Sequence, residues 1–192
     1  MITALIPVRK GSQRVKNKNI KPFGDSSLLE IKIKNLLKLQ KWNKIEEIIV
    51  TSDCKKMLEI ADNLGVKTHK RDKYYASSEA TNSEFFGDLA NIGSNSWILY
   101  SPVTAPLISF ETLNYDIKNS PNSQDLPNIL SINYGISLIK RKDMSHYKNV
   151  VTKNPTFIIL DEIEGIDIDT ELDFEFANYL YKKINVGFFV TT

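Results

Sequence analysis

The chain alternates between short, uniformly apolar runs and segments whose apolar residues recur at helical spacing. Residues 2–8 form the first run, which is typical of a fully buried strand. Pro7 lies near its end and lacks the N–H needed to extend a hydrogen-bonded ladder. After Ser27, apolar residues recur about every 3.6 positions, which predicts an amphipathic helix. A second apolar run over 45–50 predicts the next strand.

The following segments continue this alternation. The polar residues 51–53 predict the start of a second helix, and Gly65 predicts its end in the left-handed conformation. The later predicted elements are a strand over 66–69, a helix over 83–92, a strand over 97–101, a loop over 120–128, a strand over 129–140 and a helix over 170–184. The expected buried face of the last helix consists of Leu172, Phe176, Leu180 and Ile184.

Strands and helices that alternate in this way predict an α/β fold, with a mainly parallel sheet and helices on both of its faces. A chain of 192 residues is long enough for one sizeable core. The loop over 120–128 is rich in Pro, Asn and Ser, but too little chain follows it for a second domain. We therefore expect residues 1–192 to form a single domain.

The charge balance and the single cysteine narrow the functional classes. A formal net charge of +2 is too small for a protein that coats nucleic acid, and the lysines are scattered rather than massed. Cys54 alone allows neither an internal disulfide nor a zinc site of four cysteines, which fits a reducing compartment. The apolar run at the N-terminus is too short to span a bilayer. We therefore expect a cytoplasmic protein that binds neither nucleic acid nor membrane.

The loop after the first strand combines cations with a glycine and a hydroxyl. Its cations include Arg9, Arg14, Lys16 and Lys18. Gly11 allows the backbone to approach a ligand closely, and Ser12 adds a hydroxyl beside free N–H groups. Lysines and arginines in loops are usually solvated surface. Their combination with a glycine and a serine at the carboxyl end of a strand favours a polyphosphate site.

A second chemical signal lies near the end of the chain, where Asp167 and Asp169 alternate with isoleucines in the segment GIDIDTELD. In an extended segment this alternation places both carboxylates on one face, about 7 Å apart. Such a pair can hold one Mg²⁺ ion, which takes one or two protein carboxylates and completes its shell with water and phosphate oxygens. Alternatively, Asp169 and Thr170 cap the last helix, with Asp173 completing a capping box. The two interpretations are compatible.

Together these motifs resemble those of the acylneuraminate cytidylyltransferases, also called CMP-sialic acid synthetases. The family's opening pattern is I-P-A-R-G-G-S-K-x-x-x-x-K-N, and residues 6–19 read IPVRKGSQRVKNKN. The positions that match directly are Arg9, Gly11, Ser12, Lys18 and Asn19. The segment over 50–66, the turn TAPL over 104–107 and the segment GIDIDTELD are also similar to family segments, and they occur in the family's order.

The resemblance implies a Rossmann-like, three-layer α/β fold and a cytidylyltransferase activity. This activity would transfer CMP from CTP to an acidic sugar, sialic acid or a related nonulosonate, and release pyrophosphate, for surface polysaccharide biosynthesis. The implied nucleotide-binding residues are Arg9, Gly11, Ser12, Lys18, Asn19 and Ser77. Arg9 and Lys18 are also the implied catalytic residues, and Asp167 and Asp169 are the implied ligands of Mg²⁺.

Departures from the family pattern leave the acceptor open. The family's Q-P-T-S-P-L-R segment reads PVTAPLI here, so Pro102 and Ile108 replace the glutamine and the arginine that lie beside the sugar. The family's A-S-D-T stretch reads ASSE over 76–79, which preserves its ribose or base contact only in part. The interval between Leu107 and Tyr134 is shorter than the family's dimerisation insertion. A homodimer is therefore left open, and we expect a smaller or more open acceptor pocket.

Two alternative functions follow from these departures. A sugar phosphate or a phosphonate could replace the acidic sugar as acceptor of CMP. The protein could also be a catalytically weak nucleotide-binding homologue, an interpretation favoured by Lys10, Gln13 and Glu79, which depart from the family's residues.

Overall fold

A computed structural model of the protein describes residues 1–42, 45–110, 112, 135–155 and 157–185. Its strands are β1 (Ile2–Pro7), β2 (Pro22–Phe23), β3 (Ser26–Ser27), β4 (Glu47–Ser52), β5 (Lys67–Lys70), β6 (Trp97–Tyr100) and β7 (Ser137–Lys140). Five of them form one sheet in the order β5-β4-β1-β6-β7, while β2 and β3 form a separate hairpin. The pairs β5-β4, β4-β1 and β1-β6 are parallel, and β6-β7 is antiparallel. The predicted mainly parallel sheet is confirmed.

Helices cover both faces of the sheet. The described helices are α1 (Leu28–Lys41), α2 (Lys55–Asn63), α3 (Asn82–Leu89), α4 (Arg141–Tyr147) and α5 (Glu171–Asn185). Because strand residues point alternately to opposite faces, Ala4 and Ile6 join the buried cluster that contains α1, α2 and α5. Leu5, between them, joins the cluster of α3 and α4. These three layers confirm the predicted fold class.

The predicted start of α2 is wrong. Thr51 and Ser52 continue β4, because they pair with His69 and Lys70 on the neighbouring parallel strand. The helix begins after Cys54, whose side chain makes no cap hydrogen bond. The hydroxyl of Ser52 accepts a hydrogen bond from the N–H of Cys54 at 3.0 Å, so it stabilises the turn between strand and helix. The end of α2 is as predicted, since Gly65 has a φ of +77°.

The predicted buried face of α5 is also wrong. Of its four members, Leu172, Phe176 and Ile184 are exposed and Leu180 is partly buried. The helix instead buries Phe174 and Ala177. The reason is the β2-β3 hairpin, which the sequence pattern did not predict. Phe23 of this hairpin lies against Phe174, with ring centroids 5.4 Å apart, and so selects the face of α5 that is buried.

Replacing Gly24 with alanine is expected to loosen the contact between the hairpin and α5. Gly24 has a φ of +60°, and an added Cβ would lie 2.6 Å from a ring carbon of Tyr181. Backbone strain and overpacking together should lower the free energy of unfolding by about 2–4 kcal/mol. Gly65→Ala is the matched control, because its φ is also positive but its Cβ would meet no atom within 4 Å. In urea unfolding, the control should lose only about 1–2 kcal/mol, and equal losses would exclude the Tyr181 contact as a cause.

Several predictions lie outside the described residues. These are the loop over 120–128, the first half of the strand predicted over 129–140 and most of the short interval between Leu107 and Tyr134. The second half of that strand is present as β7. The described helices include none that is long and apolar enough to cross a membrane.

Candidate active site

A pocket of about 490 Å³ opens where the parallel strands β1, β5 and β6 end. Because the carboxyl ends of parallel strands meet at one edge of a sheet, this edge is the usual ligand site in such folds. The predicted site residues that line the pocket are Arg9, Ser12, Lys18, Asn19, Ser77 and Asp169. Gly11 and Asp167 are exposed and are not part of its lining. The basic loop and the aspartate segment therefore meet at one pocket.

Arg9 connects the basic loop to the segment that precedes α3. Its Nη1 donates hydrogen bonds to the main-chain oxygens of Ala76, at 3.3 Å, and Ser77, at 3.1 Å. The hydroxyl of Ser77 donates to the main-chain oxygen of Tyr74 at 2.7 Å and accepts from the N–H of Glu79 at 3.1 Å. Ser77 is thus held in a local turn at the pocket wall, and Arg9 lies beside it.

Asn19 holds the basic loop from inside the protein. It is buried, and its Nδ2 donates a hydrogen bond to the main-chain oxygen of Arg9 at 3.0 Å. A buried amide with a long-range main-chain partner fixes the conformation of the loop. Gly11 lies in open surroundings, since an added Cβ would meet no atom within 4 Å. Its role in a close approach therefore depends on a ligand and stays a prediction.

Lys18 connects the basic loop to the aspartate segment. Its Nζ donates a hydrogen bond to the main-chain oxygen of Ile168, between the two predicted metal ligands. Burial lowers the pKa of Lys18, while the nearby carboxylates of Asp167 and Asp169 act in the opposite direction. The ammonium group is therefore partly buried among mixed charges, where an added anion would stabilise its charged form.

Asp169 faces the basic loop across 155 positions of sequence. Arg14 Nη2 donates to its Oδ1 at 2.8 Å, and both side chains are at least half exposed. An exposed ion pair of this kind contributes at most about 1 kcal/mol. A phosphate for Arg14 and a cation for Asp169 could therefore replace the pair at small cost.

The capping box predicted for α5 is present, but it does not use the carboxylate of Asp169. Thr170 N–H and Oγ1 donate to Asp173 Oδ2 at 2.7 and 2.9 Å, and Asp173 N–H donates to Thr170 Oγ1 at 3.2 Å. The N–H of Asp169 also donates to Asp173 Oδ2, which leaves its carboxylate directed towards Arg14. These hydrogen bonds lower the pKa of Asp173, those from Thr170 most strongly. The cap thus anchors the segment that carries Asp169.

Arg71 is a pocket residue that the sequence reasoning missed. It directly follows β5, is buried, and donates from Nη2 to the main-chain oxygen of Val8. Its guanidinium carbon lies 5.3 Å from the centre of the Phe85 ring, and its Nε has no hydrogen-bond partner. Burial lowers its pKa, opposed by the charges of Asp53 and Asp88. A cation two residues after the end of a predicted strand was the signal that could have found it.

Tyr100, at the end of β6, is a second pocket residue that the sequence reasoning missed, because it belongs to no motif. It is buried at the pocket, and burial raises its pKa to about 12. Its phenol is therefore protonated at neutral pH. On the same side, Pro102 and Thr104 line the pocket, whereas Ile108 is buried in the core. The position of the family's arginine thus carries an apolar core residue here.

Comparison with known proteins shows which family the chain resembles. Residues 3–177 match the pattern of the cytidylyltransferase family. The chain is 25% identical to post-translational flagellin modification protein B of Campylobacter coli, covering 96% of this chain and 97% of that protein. It is 24% identical to an N-acylneuraminate cytidylyltransferase of Escherichia coli, covering 96% of this chain but only 53% of that longer protein.

The fold is shared with solved structures as well. A nucleotidyl transferase from Methanothermobacter superposes with a TM-score of 0.72 at 14% identity, covering 96% of this chain and 99% of the other. At this identity the likeness concerns the fold alone. The family match over residues 3–177 is the decisive finding, and the chain therefore belongs to the cytidylyltransferase family of CTP-dependent transferases.

Proposed function

We propose that the protein transfers CMP from CTP to a hydroxyl of an acidic sugar of the sialic acid class, releasing pyrophosphate. The observation that carries the proposal is the meeting of the basic loop and Asp169 at one pocket, with Lys18 and Arg14 contacting the aspartate segment. Cations and carboxylates are needed together where a triphosphate binds with its divalent ion. Support for the sugar comes from the family resemblance and from the N-acylneuraminate named in the Escherichia coli relative.

The reaction requires charge stabilisation more than covalent chemistry. The acceptor hydroxyl loses its proton to solvent as its oxygen forms a bond to the α-phosphorus of CTP, and the bond from that phosphorus to the oxygen bridging to the β-phosphate breaks. The electron pair of the broken bond leaves with pyrophosphate. Arg9 and Lys18 would bind the triphosphate and stabilise the charge that develops on its oxygens.

The residues present fit a Mg²⁺ ion bound together with the nucleotide. The described residues contain no group of three or more side chains arranged to hold a metal by themselves. Mg²⁺ usually needs only one or two protein carboxylates when phosphates complete its shell. Asp169, whose carboxylate is not used in the cap, and Asp167 would supply them. The ion would neutralise phosphate charge during transfer.

The lining residues outside the basic loop and the aspartate segment would hold the nucleoside. They include Arg71, Tyr75 and Phe85, together with Ser77 and Asn82. Aromatic rings offer a stacking surface for a base, and the guanidinium offers donors to ring acceptors. In this proposal the nucleoside lies beside α3 and the phosphates lie beside the basic loop.

One assay tests the proposal against its alternatives. The protein is incubated with Mg²⁺, each of the four ribonucleoside triphosphates in turn, and a panel of acidic sugars, sugar phosphates and phosphonates, and pyrophosphate is measured. Release that requires CTP and a sialic acid supports the proposal. Release that requires a phosphorylated acceptor shows that the acceptor is wrong. CTP binding without release with any acceptor would indicate a weak homologue.

Replacing Arg9 with alanine should weaken CTP binding by roughly 10- to 100-fold, because a hydrogen bond to a charged group contributes about 1.5–3 kcal/mol. The KM for the acceptor should change little. Titration calorimetry with CTP and steady-state kinetics measure the two effects. Lys10→Ala is the matched control, since Lys10 is adjacent and exposed but does not line the pocket. Equal losses for CTP and acceptor would indicate that Arg9 acts in folding, through its bonds to Ala76 and Ser77.

A further inference from the structure

Lys32 is a buried cation in the middle of α1. It is 2% exposed and lies among the core residues of that helix, Ile31, Ile33 and Leu36. Burying an ammonium group is costly unless a partner compensates it. No carboxylate of the described residues pairs with Lys32. Its Nζ donates one hydrogen bond, to the main-chain oxygen of Ala105 at 3.2 Å.

The turn that accepts this hydrogen bond forms one wall of the pocket. Pro102, Val103 and Thr104 line the cavity directly before Ala105. The main-chain oxygen of Thr104 accepts a hydrogen bond from the N–H of Ile168 at 2.9 Å. The oxygen of Ile168 in turn accepts from Lys18. A series of hydrogen bonds therefore runs from the core of the protein, through the turn and the aspartate segment, to the basic loop.

We infer that Lys32 is a positioning residue, which holds the turn over 102–107 and, through it, the segment of Asp167 and Asp169 in register with Lys18. Its contribution to turnover rests on the proposed function. Its contribution to the order of the two segments does not. Lys32 itself is not part of the pocket lining.

Stability alone does not account for a lysine at this place. Burial lowers the pKa of Lys32 to about 8, with no charge of the described residues compensating it. Replacing a buried charged group with an apolar group of similar volume is often neutral or stabilising. Methionine would therefore fill the same space at lower cost, but it could not donate to Ala105. What lysine adds is a directed hydrogen bond at the end of a long side chain.

The test compares Lys32→Met with the wild-type protein in three measurements. Urea unfolding should show a free energy of unfolding no lower than wild type at pH 7. Hydrogen exchange followed by mass spectrometry should show faster exchange confined to peptides over 102–107 and 166–169. In the presence of Mg²⁺ and the acceptor identified by the pyrophosphate assay, kcat should fall by roughly 10- to 100-fold, since a misplacement of about 1 Å can cost 100-fold, while CTP affinity is retained.

The free energy of unfolding, measured against pH, should show the effect of burying the ammonium group of Lys32. The folded protein releases the Lys32 proton near pH 8, and the unfolded chain retains it up to about pH 10.5. Because the unfolded state binds more protons in this window, this group's contribution makes stability rise with pH from about 8 to 10.5. The rise should be absent from Lys32→Met. Lys34→Met, on an exposed position of the same helix, should keep both the rise and the wild-type exchange.

Lys32→Gln keeps a hydrogen-bond donor without the charge, and it should exchange more slowly than Lys32→Met in both segments. Unchanged exchange in both segments of Lys32→Met would overturn the inference, as would an unchanged kcat. A general loss of stability together with faster exchange throughout the protein would also overturn it, because the role would then be structural. If no acceptor supports turnover in the wild-type protein, the proposed function fails, while the exchange measurement still decides the role of Lys32.

Discussion

Asp169→Asn is expected to reduce Mg²⁺-dependent release of pyrophosphate by on the order of 1,000-fold, since it removes a carboxylate that would hold the ion against the triphosphate. The fold should persist, because the cap of α5 uses Thr170 and Asp173 rather than the carboxylate of Asp169. Without Mg²⁺, CTP should bind the variant at least as tightly as the wild-type protein, since Arg14 loses its competing partner. Kinetics with Mg²⁺ and calorimetry in EDTA measure the two effects.

Glu171→Gln is the matched control for this variant. Glu171 is also acidic and lies two positions further along the chain, but its carboxylate pairs with Lys21 and is not part of the pocket lining. Its removal should leave turnover close to wild type. Full activity of Asp169→Asn would remove Asp169 from the site. Equal losses in the two variants would show that general electrostatics, rather than metal binding, is responsible.

Lys18→Met is expected to lower kcat by roughly 100- to 1,000-fold, the usual effect of removing one group that stabilises transition-state charge. The ammonium group lies close to Asp167 and Asp169 and to the guanidinium groups of Arg9 and Arg14, so it is central to the charges of the site. Steady-state kinetics with CTP and the acceptor measure the loss, and circular dichroism checks that the fold is retained.

The pH profile adds a second observation on Lys18. Because burial lowers its pKa, the alkaline limb of kcat/KM should lie below pH 10.5, the ordinary value for lysine. Lys16→Met is the control, since Lys16 belongs to the same loop but is exposed and outside the pocket lining. A Lys18→Met variant as active as this control would contradict the proposed role.

The layers of the fold could be predicted because local patterns determine them. β1 reads as a buried apolar run, and its residues do face both core clusters. The period of α1 predicts a helix, and buried residues do recur along it. Parallel strands joined by helices then leave few possible topologies. These properties depend on residues that are close together in the sequence, so they can be predicted from one sequence alone.

The face of α5 could not be predicted, because it depends on a distant partner. Leu172 and Phe176 have a helical spacing as good as that of Phe174 and Ala177, so periodicity alone cannot choose between the two stripes. The β2-β3 hairpin determines which stripe of α5 is buried, but its strands of two residues are too short to give a recognisable pattern. Tertiary packing thus overrides the local signal.

Only part of the candidate site could be predicted, because some of its residues belong to sequence motifs and others do not. The basic loop and Asp169 carry recognisable motifs, and the structure brings them together at the pocket. Arg71 and Tyr100 belong to no motif, and only the topology brings the ends of β5 and β6 to the same edge of the sheet as the end of β1. The helical pattern of α1 does not distinguish the buried Lys32 from the exposed Lys34, and only the packing of Lys32 against Ala105 reveals its role.

A crystal structure with CTP and Mg²⁺ would show whether the basic loop and the aspartate segment bind the same phosphates, because it locates the phosphates relative to both motifs. We expect a metal ion ligated by Asp169, Asp167 or both, and by phosphate oxygens that also contact Arg9 and Lys18. A triphosphate bound away from the basic loop, or a metal ion that contacts neither aspartate, would contradict it.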